Sequence, residues 1–239
     1  MGLTLTVLGA SGSFPGPGQA ASGYLVQTPS TSVWLDAGSG TLSNLQRHVG
    51  LMDVDAVVLT HDHADHWTDV QGFSVACQYI LERTGVPVYG PAPLRKAAGQ
   101  YMAPFDWQPM RDGSEAAVGD LRLSFSRTDH GNETLAVRVE GDGRVLGYSA
   151  DSGPGWTLSS LGPGLDVALC EATFLQDREG TLQHLSGRQA GQQARDAGAS
   201  RLVITHVWPT LDPSTVAAEA AAAFGAPVEA AVIDLVVEV

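Results

Sequence analysis

Short apolar runs, rich in β-branched residues and bounded by Gly, Pro or polar positions, recur along the first quarter of the chain: "LTLTVLG" (3–9), "SGYLVQT" (22–28), "SVWLDAG" (32–38) and "DAVVLTH" (55–61). This pattern predicts β-strands. Leu42 to Val49 reads as a short helix, and about Trp67 to Arg83 as a longer one that "GVP" at 85–87 ends. "VPVYG" (86–90) is a further strand and Pro93 to Met102 a further helix, whereas "YMAPFDWQPM" (101–110), with its two prolines and three aromatics, reads as an ordered loop. The second half repeats the logic. "LRLSFSRT" (121–128), "ETLAVRVEG" (133–141) and "RVLGYSAD" (144–151) predict a meander with a Gly-Asp-Gly turn at 141–143. "DVALCEAT" (166–173) and "SRLVITHV" (200–207) predict strands on either side of a helix from Ser186 to Ala197. A helix over Pro213 to Phe224 and a last strand over Ala231 to Val237 complete the list. No low-complexity linker divides the chain, so residues 1–239 are expected to form one α/β domain of two packed sheets with helices outside.

Composition narrows the function classes. The 239 residues are 44% hydrophobic and 16% charged, as in ordinary globular proteins. No apolar stretch approaches the roughly 20 residues of a membrane helix, and "MGLTLTVLGASGS" shows no basic n-region, so a cleaved secretory signal is not expected. Gly2 and Thr6 fit a loose myristoylation pattern, but a first strand over Leu3 to Leu8 accounts for them better. Cys77 and Cys170 stand far apart in apolar surroundings, which suggests buried free thiols in a reducing cytoplasm. The formal charge of −13 repels a polyphosphate backbone, so no extended nucleic-acid surface is expected.

The chemistry concentrates at "VVLTHDHADHW" (57–67), which holds three of the seven histidines directly after an apolar run. In an extended segment His61 and His63 point to one side and could grip one ion, while a turn into the next helix would re-aim Asp65 and His66. Imidazole and carboxylate suit zinc first, with iron or manganese also acceptable. Lone residues of the same kind follow at predicted strand ends: His130, Asp151 in "GYSADSG" and His206 in "VITHVWP". Counting His184, six of the seven histidines are placed, and His48 alone is left over and reads as a surface residue.

The H-x-H-x-D-H run with a later His, Asp and His resembles the metallo-β-lactamase superfamily. "LGASGSFPGPGQAASGYLVQT", "VWLDAGSGT", "LCEATF" and "HLSGRQAGQQARDAGASRLVITHVWP" resemble its ribonuclease Z-like phosphodiesterase branch, and the likeness extends from Leu3 past His206. The resemblance implies a four-layer αβ/βα sandwich of two mixed sheets with a dinuclear metal site at their shared edge. It implies that His61, His63 and His130 hold one divalent ion, that Asp65, His66 and His206 hold a second, and that Asp151 bridges both. His184 would match the histidine that assists phosphodiester cleavage. The branch also contains many dimers, which leaves a homodimer open.

Two ions so placed lower the pKa of water and polarise a phosphoryl or carbonyl oxygen. Asp65 could also hydrogen-bond the nucleophile, and a protonated His184 could donate to the leaving oxygen. Asp36, Thr60 and Glu171 are candidates to orient the metal-binding imidazoles. Trp107, Trp156 and Trp208 are candidates to wall the pocket, and "GASGSFPGPG" to cradle phosphate. A covalent serine or cysteine mechanism has no support, because there is no G-x-S-x-G elbow and neither cysteine lies in a basic niche. The expectation is a metal-dependent hydrolase of a small or cyclic phosphodiester or a short RNA. The alternatives are tRNA 3′ processing and lactone or thioester hydrolysis at the same metals. Against tRNA processing, no inserted Gly/Pro-rich arm of the kind tRNA-processing members carry lies between His130 and His206.

Overall fold

The computed structural model describes residues 2–239. In chain order the first half runs β1 (Thr4–Gly9), β2 (Gly23–Gln27), β3 (Ser32–Ala37), α1 (Thr41–Leu45), β4 (Ala56–Val58), α2 (Val70–Tyr79), β5 (Val86–Pro91), α3 (Ala92–Ala98) and β6 (Phe105–Met110). The second half runs β7 (Glu115–Val118), β8 (Leu121–Arg127), β9 (Leu135–Gly141), β10 (Arg144–Tyr148), β11 (Val167–Glu171), α4 (Gly187–Asp196), β12 (Arg201–Thr205), α5 (Pro213–Phe224), β13 (Glu229–Ala230) and β14 (Val236–Glu238). They build two mixed seven-stranded sheets, ordered β14-β1-β2-β3-β4-β5-β6 and β13-β12-β11-β10-β9-β8-β7.

The central strands are apolar on both faces because both faces are covered, which is why they read as continuous runs. In β4, Ala56 and Val58 join the core between the sheets, while Val57 packs outward beneath α1, α2 and α3. In β11, Val167 and Leu169 face inward, and Ala168 and Cys170 pack under α4 and α5. Strand β8 alternates instead, with Leu121, Leu123 and Phe125 buried and Arg122 exposed. The result is the expected αβ/βα layering. Helix α4 starts where a capping box says it should: the Ser186 hydroxyl accepts from Gln189 N–H, and the Gln189 side chain accepts in return. Asp212 caps α5, with Pro213 at its first position. Two tyrosines tie the sheets together beneath one edge. Tyr148 of β10 donates to Asp36 of β3 at 2.9 Å, and Tyr24 of β2 meets Thr205 of β12 at 2.5 Å, with the two rings edge-to-face at 5.1 Å.

Five expectations change. The helix foreseen over 42–49 stops at Leu45 and continues as turns, and the one over 67–83 narrows to α2 because Ala64–His66 forms its own 3₁₀ turn. The helix over 93–102 breaks at Gly99, whose φ of +53° ends α3 before a short 3₁₀ turn. The segment 101–110 is not a loop: it ends in β6, paired in parallel with β5. The prolines misled because β6 is an edge strand, where a missing N–H costs no pairing on its open side. The last strand, foreseen over 231–237, is two short strands in different sheets, divided by a turn at Asp234 with φ +68°. The Gly-Asp-Gly turn is as expected, with positive φ at Asp142 and Gly143. Both cysteines are free and buried, and no helix among the described residues is long and apolar enough to cross a membrane.

Candidate metal centre

One edge of the sandwich collects the ends of four strands, and each end delivers a polar side chain. The chain leaves β4 through Thr60 and His61, β8 towards His130, β10 towards Asp151 and β12 at His206. The 3₁₀ turn over Ala64–His66 then swings Asp65 and His66 back towards the same point, as the spacing requires. Three residues at strand ends around the site, Asp36 in β3, Ala150 after β10 and His206 after β12, hold φ between +51° and +56°, backbone strain of the kind that persists where surrounding structure fixes a site.

Six of the seven histidines converge here. The candidate ligand atoms of His61, His63, His130 and Asp151 lie within 4.8 Å of one another, and so do those of Asp65, His66 and His206. Asp151 stands between the groups. Its Oδ2 is 3.5 Å from His61 Nε2 and 3.9 Å from His130 Nε2, while its Oδ1 is 3.3 Å from His66 Nε2 and 3.4 Å from His206 Nε2. His48, by contrast, pairs with Asp234 on the surface.

An outer ring of acceptors fixes how each imidazole is held. The Asp36 carboxylate is fully buried and accepts from Thr60 N–H, Thr60 hydroxyl, Tyr148 hydroxyl and His66 Nδ1–H at 2.8–2.9 Å. The Thr60 oxygen in turn accepts from His61 Nδ1–H at 3.0 Å. Glu171 does the same on the other side. It accepts from Ser152 N–H, Leu185 N–H, Thr173 hydroxyl and His184 Nδ1–H, and the Thr173 oxygen accepts from His206 Nδ1–H at 2.8 Å. His130 Nδ1–H donates to the Gln183 carbonyl at 3.1 Å. With the Nδ1 protons of His61, His66, His130 and His206 directed outward, their Nε2 lone pairs point inward, while His63 turns its Nδ1 to the cluster.

Those inward atoms test whether a cation fits. His61 Nε2, His66 Nε2 and Asp151 Oδ1 are buried without any hydrogen-bond partner. Leaving such groups unmatched costs about 1–3 kcal/mol each. His63 Nδ1 and His130 Nε2 also face each other at 3.2 Å, nitrogen to nitrogen. Lone pairs that confront only other lone pairs fit a bound cation and little else.

The electrostatics agree. Burial pushes His61 down to about 4, so its imidazole is neutral at physiological pH. Burial also lowers His130. His66 goes the other way: burial alone would lower it, but Asp151, Asp65 and Asp36 outweigh burial and raise it well above the ordinary value. The field that holds a proton there is a field that draws a cation. For Asp151, burial would raise the carboxyl, yet His206, His66 and His61 around it hold it well below the usual range. His184 sits beside the cluster, stacked on His206 at 5.3 Å. Burial disfavours its charge, but the Glu171 carboxylate at 3.0 Å prevails and lifts it to about 9.

The other candidates divide. Trp107 packs against the core under the first sheet and Trp156 is buried with its N–H on Ser126, so neither walls the site. Trp208 does lie at the rim, donating from Nε1 to Ser13 Oγ at 3.2 Å. In "GASGSFPGPG" the loop lies against His206: a Cβ on Gly12 would stand 2.2 Å from the His206 carbonyl, and Ser13 N–H faces His206 Nε2 at 3.4 Å. Tyr148 and Thr173 escaped the sequence reading. Thr173, two residues after Glu171 in "CEAT", had a local signal, whereas Tyr148 meets Asp36 only through the packing of the two sheets.

The model for the β-lactamase superfamily domain matches residues 31–207, and the chain belongs to that superfamily. An uncharacterized protein of Mycobacterium tuberculosis is 36% identical over 251 residues, covering 98% of this chain and 92% of that protein. The YhfI protein of Bacillus subtilis, a probable metallo-hydrolase, is 30% identical over 217 residues, 86% of this chain and 87% of its own. Its crystal structure superposes with a TM-score of 0.90 over 99% of both chains, at 28% identity. A ribonuclease Z of Methanopyrus kandleri is 26% identical over 262 residues, 93% of each protein. The chain is a metallo-hydrolase of the β-lactamase fold, related to ribonuclease Z.

Proposed function

We propose that the protein is a dinuclear metal-dependent phosphodiesterase acting on a small or cyclic phosphodiester or a short RNA. In this reading His61, His63 and His130 hold one divalent cation, Asp65, His66 and His206 a second, and Asp151 both, with zinc preferred and manganese or iron acceptable. When bound, the cations lower the pKa of water and neutralise charge on the phosphoryl oxygens. The rest falls to the chain's own side chains. Asp65, only 10% exposed at its side chain, is both a ligand and an acceptor for the proton of the attacking water. His184 carries its proton at neutral pH, since Glu171 takes the Nδ1–H and leaves Nε2 facing the cluster. That proton stabilises the phosphoryl charge and passes to the leaving oxygen.

The observation that carries the reading is the His184–Glu171 pair. Hydroxide attack on a lactone or thioester needs the same metals, whereas the greater anionic charge of a phosphodiester and its departing oxygen give a charged imidazole beside them more to do. Replacing His184 with Ala should cut hydrolysis of bis(p-nitrophenyl) phosphate by about 100-fold or more, the usual scale of acid catalysis, with metal content intact by mass spectrometry. Undiminished hydrolysis would overturn it. A short substrate is favoured over tRNA because the path from β9 to β12 is taken up by strands, α4 and turns close to the body.

A further inference from the structure

The imidazoles of the cluster are not all held from the same side. His61, His66 and His206 are oriented from beneath, through Thr60 and Thr173 or directly, by the fully buried carboxylates of Asp36 and Glu171. His130 is held from the rim. Its Nδ1–H donates to the main-chain carbonyl of Gln183, in a segment where Thr181, Leu182 and Gln183 are all exposed. A carbonyl on an exposed segment fixes an imidazole only as well as the segment itself is fixed.

Asp129, the residue before His130, supplies that restraint, and it does so for three loops at once. Its Oδ1 accepts from the Gln183 side-chain amide at 3.3 Å, so Gln183 grips the His130 loop twice, once by its side chain and once by its carbonyl. Its Oδ2 accepts from Gly155 N–H at 2.8 Å and its own carbonyl from Gly153 N–H at 2.5 Å, both in the loop that follows Asp151. Two glycines make the approach possible. A Cβ on Gly153 would stand 2.7 Å from Asp129 Oδ2, and one on Gly155 2.6 Å from it. The residue type fits the position, because a carboxylate offers two acceptor oxygens and no donor to three donors from two other loops. Hydrogen bonds to an ionised acceptor are also roughly twice as strong as neutral ones. The Gln183 segment carries His184 next in sequence, and the His130 and His184 rings stand 5.1 Å apart.

We propose that Asp129 is a positioning residue: it clasps the loops carrying His130, Asp151 and His184, so that the His61–His63–His130 cation site and the His184 imidazole are set together by one carboxylate at the rim. This rests on the dinuclear reading for what the loops hold. The Asp65–His66–His206 set is independent of the clasp, since its orienting bonds run to Asp36 and Thr173. Asp151 has an anchor of its own, because Ser152 N–H donates to Glu171 at 2.7 Å. Loss of the clasp therefore falls on His130 and His184.

The test uses the full-length, zinc-loaded protein. Asp129→Asn keeps the size of the side chain but turns an NH2 towards one of its donors. Under graded chelator, with zinc counted by mass spectrometry, the variant should give up one ion at roughly tenfold lower chelator strength than wild type and keep the other within about twofold. Gln183→Ala, at an exposed position, should shift the same ion in the same direction by less, since the carbonyl remains. In a His206→Ala background, which leaves the first ligand set complete, the effect of Asp129→Asn should persist, and its absence there overturns the assignment to His130. Equal weakening of both ions, the mark of a merely structural role, overturns the clasp, and so does weakening of neither. A wild type that retains fewer than two ions overturns the dinuclear reading and the clasp with it. Selective loss of one ion in a protein whose wild type hydrolyses no phosphodiester upholds the clasp and sinks the catalytic reading instead.

Discussion

Replacing Asp36 with Asn tests the outer hydrogen-bond ring at its most constrained point. The substitution keeps shape and removes charge. Oδ2 receives three donors, from Thr60 hydroxyl, Tyr148 hydroxyl and His66 Nδ1, so the amide oxygen must occupy that position. The amide NH2 is then forced against Thr60 N–H, which now donates to Oδ1 at 2.8 Å. A buried backbone donor thereby loses its acceptor, at about 1–3 kcal/mol, and the three remaining bonds lose their charge assistance, which makes them roughly half as strong. A total near 3 kcal/mol follows, and for a chain of this length each kcal/mol moves the unfolding midpoint by about 2–4 °C. The metal-free variant should therefore melt roughly 6–12 °C below wild type. His66, no longer held by a carboxylate, should bind its cation about 10–100-fold more weakly. Circular dichroism melting of the stripped protein reads the first effect, and competition with a chromophoric chelator reads the second. A midpoint within 2 °C of wild type, together with unchanged affinity, would refute the account of Asp36 as the anchor of His66.

Two further expectations concern charge and packing. Glu171→Gln removes the carboxylate that does most to lift His184 to about 9, leaving burial opposed only by the more distant charge of Asp151, so the imidazole of the metal-free variant should titrate well below about 9. A raised histidine stabilises the fold fully below about 6.5 and loses that contribution as pH rises towards 9. The metal-free wild type should accordingly lose more stability over that window than the variant, as NMR titration and melting at stepped pH would show. Gly191→Ala places a Cβ 2.1 Å from the Ala220 carbonyl where α4 meets α5, so the helices must part. The expected loss is about 1–3 kcal/mol in denaturant unfolding with metal content unchanged; equal stability would mean that the contact yields freely.

The sequence carried the inner residues of the candidate site and very little of what orients them. His61, His63, Asp65 and His66 are legible because one turn of chain presents them together, and His130, Asp151 and His206 because each follows an apolar strand. Asp36, Thr60 and Glu171 were nominated by position, yet nothing in the string could say that one carboxylate would accept four hydrogen bonds. The Asp36–Tyr148 bond joins residues from different sheets, and its partners are chosen by sheet packing. Edge strand β6 was missed for a related reason: proline content argues against a strand in general, and only the order of strands shows that this one has an open side. The short β13 and β14 were merged because the divider, Asp234, takes a left-handed conformation that aspartate tolerates without advertising.

The paired tyrosines beneath the site have a mechanical consequence. Tyr148 reaches from the second sheet into the first and Tyr24 from the first into the second, so a shear of one layer past the other breaks both anchors at once. His61, His63 and His66 ride on one layer, and His130, Asp151 and His206 on the other. The two halves of the cluster are thus bolted in register from below, and whatever opens to admit a substrate must be a rim segment rather than a hinge between the sheets.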